Sequence, residues 1–384
     1  MKALLFERKV ARYAAAAVAG RLSPGRGARV GPLRLADLDV PQLPGPGWLR
    51  VKPRLAGICG SDLATIDGHS SRYFEPIVSF PFVPGHEVVG DTDDGRRVVL
   101  VPILTCAVRG IDPPCHRCRE GRANLCERVA FGHLEPGLQT GFCESTGGGW
   151  STLLVAHESQ IVDVPEALTD EQAVLIEPMA CAVHAARHLA GHGDTVVIGS
   201  GTLGLLTIAA VTRLHPAALV VAAAKHPRQK QLARELGAET VCEPQELARI
   251  LRSRTGSWVL DDRLTGGAAE VVDCVGSSDS LQQALDVVGP GGVVHAVGMP
   301  GVTTLDLTGL WHRELSLRGS YAYTPGDFTV AAELVADLDL GRLVSATYPL
   351  SRYEDAIAHA AAAGRRGAVK IAFDLRQEKE RSRL

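Results

Sequence analysis

Three short stretches of this chain carry side chains that could hold a metal ion. Cys59 lies in Gly57–Asp62, His86 in Gly85–Glu87, and Glu177 in Ile176-Glu177-Pro178. A metal that does chemistry needs roughly three nitrogen, sulfur or oxygen ligands from the protein and one open position. Cys59, His86 and a carboxylate supply that set, and Glu87 and Glu177 compete for the carboxylate place. Glu177 has a second reading, as an acid favoured at a helix N-terminus by the dipole. A different cluster has the spacing D-x2-C-x2-C-x7-C: Asp112, Cys115, Cys118 and Cys126. This is a closed four-ligand set, of the kind that supplies folding energy rather than reactivity. Of the remaining cysteines, Cys181, Cys242 and Cys274 read as small buried hydrophobes.

The run Thr195–Ile198 leads into Gly199-Ser200-Gly201-Thr202-Leu203-Gly204 and then an apolar helical stretch. This G-x-G-x-x-G lies between an expected strand and an expected helix, where it can cradle a dinucleotide pyrophosphate. Its first glycine permits the turn, the second lets the phosphates approach, and the third packs helix on strand. Gly199, Gly201, Thr202, Leu203 and Gly204 are therefore the expected phosphate loop. A carboxylate about 20 residues on usually grips the ribose hydroxyls of NAD. Here Ala224 stands near that place, followed by Lys225, His226 and Arg228. Cations suit a 2′-phosphate, so NADP is favoured over NAD. Glu243 or Asp261 could fold back to the ribose and reverse that choice.

These side chains need elements to position them. The first half is rich in Gly, Pro and short β-branched runs, such as Trp48–Pro53, Phe82–Val89, Arg97–Val101 and Ile161–Val164. It reads as an irregular, mostly antiparallel β domain. Apolar periodicity vanishes between Thr105 and Gly149, so that stretch needs a staple. Arg12–Gly31 looks like a surface insertion. From Glu171 to Ala190 a helix is expected, capped by Thr169 or Asp170. Apolar runs at Thr195–Ile198, Ala218–Val221, Glu270–Cys274, Gly292–Val297 and Leu315–Leu317 then alternate with helical stretches at Leu203–Leu214 and Arg228–Leu236. That alternation predicts an α/β, doubly wound parallel sheet. The expected division is 1–176 with 320–384, and 177–319.

With 384 residues, two domains are the prior. A net charge of −3 leaves no basic footprint for nucleic acid, and 5% aromatics leave little for base stacking. No run approaches the length of a spanning helix, and the start has no signal-peptide core, so a cytoplasmic location is expected. Clustered cysteines in a reducing compartment fit metal binding better than disulfides.

Taken together, these motifs resemble the zinc-containing medium-chain dehydrogenase/reductase family of alcohol, sorbitol and threonine dehydrogenases, over nearly the whole chain. The resemblance implies a GroES-like β-rich catalytic domain interrupted by a Rossmann domain that binds the nicotinamide dinucleotide. It implies catalytic zinc at Cys59 and His86 with Glu87 or Glu177, and structural zinc in the Cys115–Cys126 lobe. The family's lobe has four cysteines, and here Asp112 takes the first place. Ser61 resembles the family's first proton-relay group, and His69 could extend that relay. The expected activity is hydride transfer between NAD(P) and a small alcohol or polyol, or its carbonyl, in a homodimer or homotetramer. The alternatives are a zinc-free quinone or enoyl reductase of the same superfamily and a non-catalytic binding protein on this fold. Cys59, His86 and the cysteine cluster argue against the first, and the complete ligand set with the relay serine Ser61 argues against the second.

Overall fold

The computed structural model describes residues 1–260, 263–299 and 301–376. The chain forms two compact units, Met1–Glu177 with Val335–Leu384, and Pro178–Leu334.

The discontinuous unit is built on a seven-stranded sheet. Its long central strand, Trp48–Gly57, pairs antiparallel with Val88–Thr92 on one side and with Lys370–Asp374 on the other. Val344–Tyr348 continues the sheet beyond Lys370–Asp374, Arg97–Leu100 and Ile161–Asp163 continue it beyond Val88–Thr92, and Leu154–His157 pairs with the first part of the central strand. Short strands punctuated by glycine and proline match the sequence pattern. The expected run Phe82–Val89 is regular only from Val88; before it, Phe82 makes a single bridge to Phe6. The core gathers around aromatic contacts: Phe6 stacks on Phe82 at 5.0 Å, and Trp150 meets Phe373 edge-on at 5.1 Å.

Arg12–Gly31 is not merely a surface insertion. It forms helices Val10–Leu22 and Gly27–Val30, and Gly20, Gly25, Gly27 and Ala28 are buried. Buried Asp67 accepts hydrogen bonds from the backbone N–H groups of Gly25 (2.6 Å) and Gly27 (2.9 Å). A side chain at Gly27 would overlap the Ile66 carbonyl, so glycine is what allows this docking.

The contiguous unit contains six parallel strands: Gly193–Ile198, Ala218–Ala223, Thr240–Cys242, Ala268–Asp273, Val288–Ala296 and Ser316–Gly319. Their spatial order, counted along the chain, is 3-2-1-4-5-6, the doubly wound order of dinucleotide-binding folds. The interior strands read as apolar runs because both faces are covered. The expected helix Glu171–Ala190 is two helices, Asp170–Ala173 and Ile176–Ala186. Pro178 explains the break: restarting at Ile176 puts it in a first turn, where its missing N–H costs nothing. Residues 320–334, expected with the first unit, belong to this one. Asp327 holds them there, accepting from His184 Nδ1 (2.7 Å) and Arg187 (3.0 Å).

Candidate active site and metal centres

Cys59 lies two residues past the end of the central strand and caps the helix Gly60–Ile66. The Cys59 N–H donates to Asp62 Oδ2 at 2.9 Å, which fixes the turn. The other Asp62 oxygen faces His86 Nδ1 at 3.5 Å, so one buried carboxylate orients both segments. Burial disfavours a charge on His86, yet the carboxylate of Asp62 and the sulfur of Cys59 outweigh it and hold its pKa well above the ordinary value. Ligand atoms of Cys59, His86 and Glu87 lie within 4.8 Å of one another. Thiolate, imidazole and carboxylate donors so spaced fit one zinc ion.

The fourth participant was not foreseen. Lys370, 2% exposed, makes an ion pair with Glu87 and donates to the Ile58 carbonyl at 3.1 Å. Burial pushes its ammonium toward neutrality, but Glu87, Cys59 and Glu177 act together to hold its pKa up. A single lysine inside the apolar run Ala368–Phe373 was the available signal, since a lone charge among core residues needs a partner. Gly57 leaves room for this pair, because a Cβ there would overlap the Glu87 carboxylate. Glu177 is buried and acts on Lys370, but lies outside the three-residue ligand group. Ser61 is half-buried on the helix that Cys59 caps, whereas His69 is exposed.

The second cluster is corrected. The side chains that converge are Cys106, Cys115, Cys118 and Cys126, and Asp112 is not among them. The expectation failed because the spacer 107–114 separates Cys106 from the compact C-x2-C-x7-C run. The Cys106 and Cys126 sulfurs are 3.7 Å apart, and those of Cys115 and Cys126 are 4.0 Å apart. A tetrahedral zinc with bonds of about 2.3 Å sets its sulfurs about 3.8 Å apart, so these residues fit the ion. Burial raises the Cys115 thiol, but backbone N–H groups of Cys118 and Glu127 overcome it and bring its pKa to about 7. Burial and the neighbouring Cys106 sulfur push Cys126 up to about 11.

In the other unit, the glycine loop Gly199–Gly204 has the expected form. Gly199 is left-handed at φ 89°, the space above Gly201 is open, and a Cβ on Gly204 would overlap the Gly199 carbonyl. Thr202 begins the helix Thr202–Leu214, whose N-terminal N–H groups are thereby presented to an anion. Ala224 is buried, Lys225 is exposed and Arg228 half-buried. Glu243 is bound to Lys230 at 2.8 Å, and Asp261 lies outside the described residues.

Comparison with known proteins fits this architecture. Residues 45–166 match the alcohol dehydrogenase GroES-like domain, and residues 202–337 match the zinc-binding dehydrogenase domain. D-xylulose reductase A of Aspergillus oryzae is 29% identical over 311 residues, covering 79% of this chain and 83% of the relative. Among solved structures, acetophenone reductase of Geotrichum candidum in complex with NAD superposes with a TM-score of 0.74 at 22% identity, covering 98% of each chain. A zinc-binding dehydrogenase of Sinorhizobium meliloti bound to NADP gives 0.71 at 24% identity, covering 91% of this chain and 97% of the other. The chain belongs to the zinc-containing medium-chain dehydrogenase/reductase family. It is a zinc-dependent, alcohol dehydrogenase-type oxidoreductase that transfers a hydride between a nicotinamide cofactor and a small alcohol or its carbonyl.

Proposed function

We propose that this enzyme interconverts a small polyol and its ketose, using NADP, at a zinc held by Cys59, His86 and a carboxylate. The convergence of Cys59, His86 and Glu87 within 4.8 Å carries the reading. The polyol class rests on the D-xylulose reductase relative. When bound, zinc supplies Lewis acidity at the substrate oxygen and the nicotinamide supplies or takes the hydride. The chain's residues do the rest. Asp62 holds His86 in orientation, Lys370 restrains Glu87, and Ser61 passes the hydroxyl proton outward. Gly199, Gly201, Thr202, Leu203 and Gly204 seat the pyrophosphate, and Lys225 and Arg228 receive a 2′-phosphate. Among the described residues neither cation has a carboxylate partner, which leaves both available.

Cys106, Cys115, Cys118 and Cys126 hold a structural zinc in the same proposal. The cysteine-rich lobe suits a reducing compartment such as the cytoplasm. No helix among the described residues is long and apolar enough to cross a membrane. Ser316–Gly319, exposed at every position on the edge of the parallel sheet, is where a second copy would pair. The deciding experiment is a panel of polyols, sugars and secondary alcohols run with NAD and with NADP, with and without zinc removal. Turnover of simple alcohols alone would refute the polyol assignment, and full activity of the zinc-free protein would refute the metal chemistry.

A further inference from the structure

Arg109 is fully buried, with 0% of its surface exposed. Its guanidinium donates to five backbone carbonyls: Leu104 (3.2 Å), Phe131 (3.0 Å), Leu134 (3.3 Å), Glu135 (3.3 Å) and Gly137 (2.6 Å). Among the described residues no carboxylate pairs with it. Carbonyl dipoles satisfy its N–H groups but do not neutralise its charge, and a buried charge without a counterion is costly. Burial pushes its pKa below the ordinary arginine value, and the sulfurs of Cys143, Cys126 and Cys106 act against that, of which Cys106 and Cys126 belong to the four-cysteine cluster.

The four-cysteine cluster has the opposite deficit. A divalent ion bound by four thiolates carries two excess negative charges. Backbone N–H groups point at the sulfurs, among them Cys115 N–H to Cys106 at 3.3 Å and Arg128 N–H to Cys126 at 3.4 Å, and these stabilise charge without cancelling it. Arg109 belongs to the spacer 107–114 that separates Cys106 from Cys115. Its backbone is folded back on the cysteine segment, with Arg109 N–H to Thr105 O at 3.0 Å and Ile111 N–H to Cys106 O at 2.9 Å.

We propose that Arg109 is the charge-balancing, positioning residue of the four-cysteine metal site, its buried guanidinium offsetting the excess thiolate charge while its hydrogen bonds tie the loop 131–137 to the ligand segment. The residue does not ligate the metal. The spacer is then the segment that delivers a buried cation to the lobe. This inference rests on reading the cluster as a zinc site, and its test separates the two.

The full-length protein, wild type and C106S, is first assayed for zinc per chain. If C106S holds as much zinc as wild type, the metal-site reading itself fails. Given a zinc that C106S loses, R109Q and R109K are compared by zinc transfer to a colorimetric chelator and by the thiolate-to-metal charge-transfer bands of the cobalt-substituted lobe. Removing the charge should speed transfer from this site about 10–100-fold, as loss of a supporting partner does at other metal sites. R109Q should also shift the charge-transfer bands. R109K keeps the charge and loses the five-donor fork, and should stay within about threefold of wild type. Equal loss in both variants would reduce Arg109 to a loop brace and overturn the proposal, as would wild-type rates in both. Should R109Q not fold, R109K decides: a retained lobe zinc with unshifted bands supports the charge, and its loss from folded R109K overturns it.

Discussion

The Lys370 ammonium is paired with the Glu87 carboxylate, and both side chains are all but sealed from solvent. Breaking one side of a buried pair leaves the other charge stranded, typically at about 3–5 kcal/mol. K370M should therefore lose about that much stability in urea unfolding, and K370M/E87Q should recover most of it. A cost under about 1 kcal/mol for K370M would show that Glu87 finds another counter-charge. The coupling in the double variant is the measure of the pair itself.

The lobe makes a sharper distinction between two residues. C106S should lower the zinc content by about one per chain and make the segment Thr105–Gly149 sensitive to protease, because zinc binding there is folding energy. D112N should change neither. Elemental analysis with limited proteolysis checks both, and zinc loss in D112N would restore Asp112 to the ligand set.

In the proposed function, cofactor choice rests on Lys225 and Arg228. Charge-assisted hydrogen bonds to a phosphate contribute roughly 1.5–3 kcal/mol each, which corresponds to about tenfold or more in preference. The expected outcome is a higher kcat/KM with NADPH than with NADH, and loss of that preference in K225A/R228A. A wild-type enzyme that prefers NADH would refute the assignment.

Asp327 gives a pH dependence. Burial pushes its carboxyl up, but the imidazole of His184 at 2.7 Å and the N–H and hydroxyl of Thr324 overcome this and hold it at about 2, against an ordinary 3.8. A folded-state value below the unfolded one adds stability above the unfolded value. That stability is lost as pH falls through the folded one. The shift corresponds to about 2 kcal/mol at neutral pH. D327N should cost at least that much at pH 7, and its difference from wild type should shrink between about pH 4 and pH 2. A pH-independent difference, measured by denaturant titration across that window, would assign the effect to packing alone.

Local pattern carried much of this molecule. The five apolar runs from Thr195 to Leu317 all lie in or overlap strands of the parallel sheet, because buried parallel strands are written as continuous apolar stretches. The glycine loop was legible because each of its three glycines has a separate steric duty. What local pattern misses is contact between distant segments. Cys106 joins Cys126 only after the spacer 107–114 folds back, and nothing in either segment announces the other. Lys370 meets Glu87 from the far end of the chain. Residues 320–334 look like the region that follows them until Asp327 is seen against His184. Arg12–Gly31 looked like surface because the acceptor for its glycine N–H groups, Asp67, lies well downstream.

The position of Lys370–Asp374 has a consequence for synthesis. This strand is interior, lying between Trp48–Gly57 and Val344–Tyr348. As the chain leaves the ribosome, the contiguous unit Pro178–Leu334 emerges whole and can fold as it appears. The older segment that bears Cys59 and His86 must wait with one edge of its central strand unpaired. Glu87 waits with it, its carboxylate unmatched until Lys370 arrives. The nascent polypeptide can thus complete its parallel-sheet unit before the unit that bears Cys59 and His86 can close.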